Sequence, residues 1–152
     1  MNNKGFTVVE LIAAFSITMV ISVFLFELLI EVKNIFVETA LKTNIEEKTA
    51  IVSKNINSLF KDTSNSVSCS SNSLASINGK SISITQNNDE KNPGYIIING
   101  QKFSMPKDGD NYVKVTSPNI ECNDEGYIRV NFSLTSSNLS KPYVYNVVFY
   151  YK

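Results

Sequence analysis

Histidine and tryptophan are absent from this 152-residue chain, and Arg129 is its single arginine. The missing histidine removes the commonest general base and a frequent metal ligand, and the sequence shows no nucleophile–base spacing and no phosphate-binding loop. Lysine plus arginine equal aspartate plus glutamate at 14 each, without the basic stripe that binds nucleic acid. We therefore expect one modest core in a protein that is not an enzyme and needs no cofactor.

Helix-breaking residues are also missing from the N-terminal part of the chain. No proline precedes Pro93, and no glycine lies between Gly5 and Gly79. This predicts a single helix from Phe6 to about residue 60. Apolar residues in its rear half recur at spacings of three, four and seven, which predicts one buried stripe. The stripe comprises Val37, Leu41, Ile45, Val52, Ile56 and Leu59 or Phe60.

Charge is scarce in the front half of this predicted helix. Residues 6–30, FTVVELIAAFSITMVISVFLFELLI, contain only Glu10 and Glu27. As a helix they are long enough to cross roughly 30 Å of hydrocarbon, with Glu27 near the outer interface. The leader MNNKG is shorter than the charged region of a secretory signal, and Lys4 favours a cytoplasmic N-terminus. We expect a membrane-spanning segment, with the rest of the chain outside the cell.

The composition changes after the helix. Residues 62–73, DTSNSVSCSSNS, predict a loop. Asn-Gly at 78–79 and 99–100 lies between β-prone runs, which predicts hairpins over 73–85 and 95–103. Alternating apolar residues over 127–136 and 143–151 predict a third strand pair. The expected fold is α+β, with residues 31–60 continuing the membrane helix as an amphipathic helix packed on a C-terminal antiparallel β-sheet domain of residues 61–152.

A few polar and aromatic residues outside the helix are candidate sites. Cys69 and Cys122 lie in the presumed exterior part, where a disulfide persists, although two buried thiols would fit as well. Asp108 and Asp110 in KDGDNY are a weak metal candidate, because two acids supply too few oxygen ligands and a turn is the simpler interpretation. ECNDEGY, residues 121–127, also predicts a turn. Four tyrosines allow a binding face but favour sheet packing: Tyr143, Tyr145, Tyr150 and Tyr151.

The N-terminal motif carries a family resemblance. Lys-Gly, then Phe-Thr-x-x-Glu and sixteen uncharged residues, resembles the class III signal of type IV prepilins and type II secretion pseudopilins. The resemblance implies that residues 1–5 are a leader, that prepilin peptidase cuts between Gly5 and Phe6, and that Phe6 is N-methylated. It also implies that Glu10 neutralises the Phe6 amine of a neighbouring subunit, which would explain an acid in a membrane segment. The family's lollipop architecture agrees with the expected fold.

The resemblance also suggests a place in an assembly. Many major pilins carry a proline midway along the membrane segment and a disulfide near the C-terminus, whereas the corresponding stretch here, VFLFELLI, has Glu27 and no proline, and the two cysteines lie far apart. A minor pilin, added to or priming a pilus, is therefore the leading hypothesis. Its implied partners are the peptidase, other pilins, a platform membrane protein, an assembly ATPase and, before assembly, membrane lipid. The alternatives are a pseudopilin of type II secretion or DNA uptake and, in another class, a membrane-anchored extracellular adhesin whose Glu10 only reaches the headgroups.

Overall fold

A long helix precedes a set of antiparallel strands. The computed structural model describes residues 7–61, 66–87, 89–123 and 126–151. Helix α1 spans Val8–Leu59, which confirms the predicted long N-terminal helix of an α+β fold. Contacts divide the chain into two compact units, Met1–Val37 and Glu38–Lys152, and each unit is described by itself. The strands within the described ranges are β1 (Val67–Ser71), β2 (Leu74–Ile77), β3 (Lys80–Thr85), β4 (Tyr95–Ile98), β5 (Gln101–Ser104), β6 (Lys107–Asp108), β7 (Asn111–Tyr112), β8 (Lys114–Asn123), β9 (Tyr127–Thr135) and β10 (Tyr143–Tyr150).

In the second unit, α1 packs one face against the strands. The buried helix residues are Leu41, Ile45, Thr49, Val52, Ile56 and Leu59, which matches most of the predicted stripe. Thr49 was not predicted, because its side chain is polar. Its hydroxyl donates to the Ile45 carbonyl at 2.9 Å, so the polar atom enters the core with its hydrogen bond already made. The helix stripe and the strands share one hydrophobic cluster.

Both predicted Asn-Gly hairpins are present, as β2–β3 and β4–β5. Asn78 and Gly79 have φ of 54° and 76°, the left-handed conformation that a two-residue primed turn requires. The Asn78 side chain also satisfies the end of the helix, since its Nδ2 donates to the Leu59 carbonyl at 3.0 Å. The first hairpin turn therefore also fixes the place where α1 ends.

The strands form three antiparallel sheets. One sheet has the order β1-β2-β3-β4-β5, another β10-β9-β8, and β6 pairs with β7 alone. The predicted third pair is β9–β10, whose register runs from Tyr143 opposite Leu134 to Tyr150 opposite Tyr127. The inward residues of β9 are all buried, as their alternation predicted: Ile128, Val130, Phe132 and Leu134.

The predictions for the connecting segments were partly right. The serine-rich stretch 62–73, predicted as a loop, contains β1. Its backbone forms hydrogen bonds with β2, and this pairing outweighs the low β propensity of its residues. Residues 62–65 lie outside the described part. Residues 121–123 end β8, and the Gly126 amide donates to the Asn123 carbonyl at 3.1 Å directly before β9 begins at Tyr127, which agrees with the predicted turn before a strand; residues 124–125 are not described. KDGDNY is the short β6–β7 hairpin. Strand β8 was not predicted; it contains Pro118, which lies in a bulge beside Ser117, a residue with φ of 51°.

Candidate functional site

The helix begins with a pair of reciprocal hydrogen bonds between Thr7 and Glu10. The Glu10 amide donates to Thr7 Oγ1 at 3.3 Å, and Glu10 Oε2 accepts from the Thr7 amide and hydroxyl, each at 2.9 Å. This is a capping box, which satisfies amides that the first helical turn leaves free. The Thr-x-x-Glu spacing was the signal that could have predicted it. Among the described residues nothing hydrogen-bonds Glu10 Oε1, so one carboxylate oxygen remains available.

The helical surface that follows is apolar on all sides. The best 18-residue window of α1 has a mean hydropathy of 2.4, and none of that window is buried. Val9 and Val20, for example, are 75% and 71% exposed. An apolar surface of this size is unfavourable in water and is typical of a segment that contacts lipid or another protein. The helix is long and apolar enough to cross a membrane.

Hydroxyl groups within this surface are satisfied inside the helix. Ser16, Thr18 and Ser22 each donate to the carbonyl four residues earlier, all at 2.8 Å. In a bilayer, where no water is at hand, an unpaired hydroxyl would cost free energy. These three hydroxyl groups therefore keep their hydrogen bonds whether lipid or another protein surrounds the helix.

The candidate processing site precedes α1 in the sequence. Gly5 and Phe6, between which cleavage was predicted, and the rest of residues 1–6 lie outside the described part of the chain. Glu10 is the one assembly residue that the structure places, on the first turn of α1. Glu27 follows on the same helix after sixteen uncharged residues.

Cys69 and Cys122 form a disulfide, with their Cα atoms 5.9 Å apart. The bond joins β1 to β8 and thereby links the edges of two sheets. It closes a loop of 53 residues, which on chain-entropy grounds stabilises the fold by about 4 kcal/mol. Its place between two sheets indicates a structural role in the second unit.

Asp108 belongs to a polar cluster that ties two loops together. Its carboxylate accepts hydrogen bonds from the Ser136 hydroxyl and, at 2.5 Å, from Asn138 Nδ2. Burial raises the pKa of Asp108, but the bonds from Ser136 and Asn138 together outweigh burial and hold the pKa below its usual value. Asp110, the other acid of the weak metal candidate, is exposed on the turn. Hydrogen-bond donors occupy both carboxylate oxygens of Asp108, so this residue has a structural role in holding the two loops together.

The four tyrosines do not share one surface. Tyr145 stacks on Phe132 with ring centroids 4.6 Å apart, and its hydroxyl lies 2.6 Å from Ser53 Oγ on the helix. Burial raises the pKa of Tyr145, and the Ser53 hydrogen bond offsets part of that rise. Tyr151 stacks on Phe60 at 6.1 Å, whereas Tyr150 is 75% exposed on the other side of the strand. Packing explains Tyr145 and Tyr151, and Tyr150 is left on the surface.

One further acid, which sequence reasoning missed, joins α1 to the loop between β9 and β10. Glu38 Oε1 lies 2.8 Å from Lys42 Nζ and accepts from the Ser140 hydroxyl at 2.6 Å. The Lys42 contact, together with the Ser140 hydroxyl and amide, lowers the pKa of Glu38 to about 2. The Glu-x-x-x-Lys spacing was visible in the sequence, but Ser140 lies 102 residues away and gave no signal.

A scan against protein-family models and searches of curated proteins and of solved structures found no match to this chain.

Proposed function

We propose that this chain is a membrane-inserted assembly subunit of the type IV pilin class, most like a minor pilin, and that prepilin peptidase cleaves it between Gly5 and Phe6. One observation carries the proposal. Glu10, whose Oε1 accepts no hydrogen bond from the residues that the structure describes, stands at the start of a helix whose next sixteen residues are uncharged and exposed. The capping box needs only the hydrogen bonds of Glu10, so a helix that stayed alone in lipid would gain nothing from the charge itself.

The proposed mechanism is charge neutralisation between neighbouring subunits. Cleavage leaves an α-amine on Phe6 at the head of an apolar helix, where an isolated ammonium is costly. Glu10 of the neighbouring subunit supplies the opposite charge through its free oxygen, and their attraction is strong in a medium of low dielectric constant. Because the two groups are four residues apart on their own chains, pairing them between chains fixes the axial stagger of adjacent helices. A buried charge used in this way sets register more than it adds stability.

The partners and location follow from this assignment. Before assembly the subunit spans the cytoplasmic membrane with its N-terminus inside, and afterwards it lies in a pilus at the cell surface. The proposed partners are the prepilin peptidase, other pilin subunits packed along the helix, a platform membrane protein and an assembly ATPase. A pseudopilin of type II secretion or of DNA uptake would use the same helix in the same way, so it is a close variant of this proposal.

A second candidate function has its own supporting observation. The capping box gives Glu10 a role within its own chain, namely to satisfy amides of the first helical turn. On that basis the helix is only an anchor, and the second unit is an extracellular binding protein or adhesin. The two functions differ in whether the charge of Glu10 matters or only its hydrogen bonds.

Cleavage of the leader is the first test. Intact-mass and N-terminal mass spectrometry of the full chain, from cells with and without prepilin peptidase, should show a mature form that starts at methylated Phe6 only when the peptidase is present. An intact MNNKG leader in peptidase-positive cells would overturn the assembly proposal and leave the anchored binding protein.

Glu10→Gln separates the two roles of that residue. Glutamine still accepts the capping hydrogen bond from Thr7 but carries no charge. We expect the variant to insert in the membrane with an intact helix, while its recovery in sheared filaments falls at least ten-fold. Glu27→Gln is the matched control and should be recovered at the wild-type level. Normal assembly of Glu10→Gln, with loss only in Glu10→Ala, would show that Glu10 acts as a cap.

A further inference from the structure

The free edge of β10 differs from the other sheet edges. Strand β10 ends the three-stranded sheet and pairs only with β9. Its register with β9 is unbroken over eight residues. The stretch contains no charge and no proline. Long, uninterrupted and uncharged edges readily accept another strand, so proteins usually protect them.

The other edges of the two larger sheets carry such protection. Strand β1 is interrupted by a register shift between Cys69 and Ser71. Strand β5 is four residues long and contains Lys102. Strand β8 has a bulge at Pro118, and the disulfide ties it to β1. In the part of the chain that the structure describes, β10 is the edge without any of these features.

The register shows which backbone groups of β10 are unpaired. The Tyr151 amide donates to the Gly126 carbonyl at 2.9 Å, so the odd-numbered residues of β10 face β9. On the other side of β9, the Ser133 carbonyl accepts from the side-chain hydroxyl of Thr116 on β8 at 3.3 Å, so this carbonyl faces β8 and not its β10 neighbour Val144. It follows that the outward amides and carbonyls belong to Val144, Asn146, Val148 and Tyr150.

A groove lies along this edge within the second unit. It measures about 330 Å³, and β10 forms one wall over residues 143–147. The helix forms the other wall with Glu46, Thr49, Ala50 and Ser53. A strand added to β10 would direct every second side chain into this groove. Among the described residues that line it, Glu46 is the charged one.

We propose that the β10 edge and this groove bind an extended segment of a partner protein, which adds a strand to the sheet and places a basic side chain opposite Glu46. The unpaired backbone groups require an extended peptide, and the charge of Glu46 selects lysine or arginine. A second copy of β10 fits less well, because its inward side chains, Tyr145 and Phe149, already lie in their own core and are not available to enter the groove. This interaction is separate from helix assembly and does not depend on it.

The probe is a capped eight-residue peptide, Thr-Val-Thr-Lys-Thr-Val-Thr-Val, added to the full chain in detergent micelles. Amide hydrogen exchange measured by NMR should slow at least ten-fold at Val144, Asn146, Val148 and Tyr150. The control peptide has the same sequence with every backbone amide N-methylated, so neither of its edges can donate a hydrogen bond to β10. No protection at millimolar peptide, or equal protection by the methylated peptide, would overturn the proposal.

Two variants test the backbone and charge components separately. Asn146→Pro removes an outward amide that β9 does not use, and it should weaken peptide binding at least ten-fold. Should that variant fold poorly, Glu46→Lys gives an independent result, since it should weaken the lysine peptide about three-fold and favour a glutamate analogue by a similar factor. Unchanged charge preference would overturn the assignment of the groove. Protection that depends on protein concentration without any peptide would show that a second copy occupies the edge, which also overturns it.

Discussion

The two parts of helix α1 resemble each other in backbone and differ in environment. Before Val37 the apolar side chains are exposed on every side, as Ile17 at 61% exposure illustrates. After Glu38 the apolar side chains are buried along one stripe, where Ile45 is fully buried. Helix formation needs only the absence of breaking residues, whereas the pattern of apolar residues determines what surrounds the helix. The front part is suited to contact with lipid or with other helices, whereas the apolar stripe of the rear part is buried against the strands of the same chain.

The largest expected effect comes from truncating isoleucine in each part. Ile45→Ala should lower the free energy of unfolding of the second unit by about 4 kcal/mol, because it leaves a cavity in a closed core. Ile17→Ala should change that free energy by less than about 0.5 kcal/mol. Urea unfolding of the full chain in detergent, followed by near-ultraviolet circular dichroism, measures both. Similar losses in the two variants would contradict the distinction between the two parts of the helix.

The next effect concerns membrane insertion. Ile17→Arg places a charge near the middle of the predicted membrane segment, at an apparent cost of about 3 kcal/mol. Ile51→Arg places the same charge on a partly exposed position of the rear part, and insertion should not change. Carbonate extraction of membranes distinguishes the outcomes. If carbonate released the wild type as readily as Ile17→Arg, the front part would not be a membrane segment.

The smallest effect is the pH dependence caused by Glu38. Its pKa is lowered from 4.5 to about 2, so its contribution to stability is complete above pH 4.5 and is lost as the pH falls towards 2. Glu38→Gln should therefore reduce the change in unfolding free energy between pH 5 and pH 2. Glu31→Gln, in the front part, should not. The effect should weaken in high salt, because the Lys42 contact is exposed. Identical pH profiles for wild type and Glu38→Gln would contradict this role.

The success of sequence reasoning varied with the range of the interactions. The two Asn-Gly turns were predicted because their backbone conformation depends on adjacent residues alone. Strand β1 was missed, because its serine-rich composition suggests a loop and only pairing with β2 makes it a strand. Thr49 was missed for a related reason, since its polar atom is satisfied by the helix itself. The capping box at Thr7 was overlooked although its spacing was visible in the sequence.

The sequence by itself determined the local features of this protein: an unbroken helix, an apolar front part with one acid, the hairpin turns and the alternation of β9 and β10. Each of these depends on residues within a few positions of one another. Only the tertiary structure decided that Asp108 meets Ser136 and Asn138, that Glu38 meets Ser140, and that β10 is left as an open edge. These contacts join residues 28 to 102 positions apart, and pairing at such distances follows from how the strands are arranged in the sheets rather than from any local pattern.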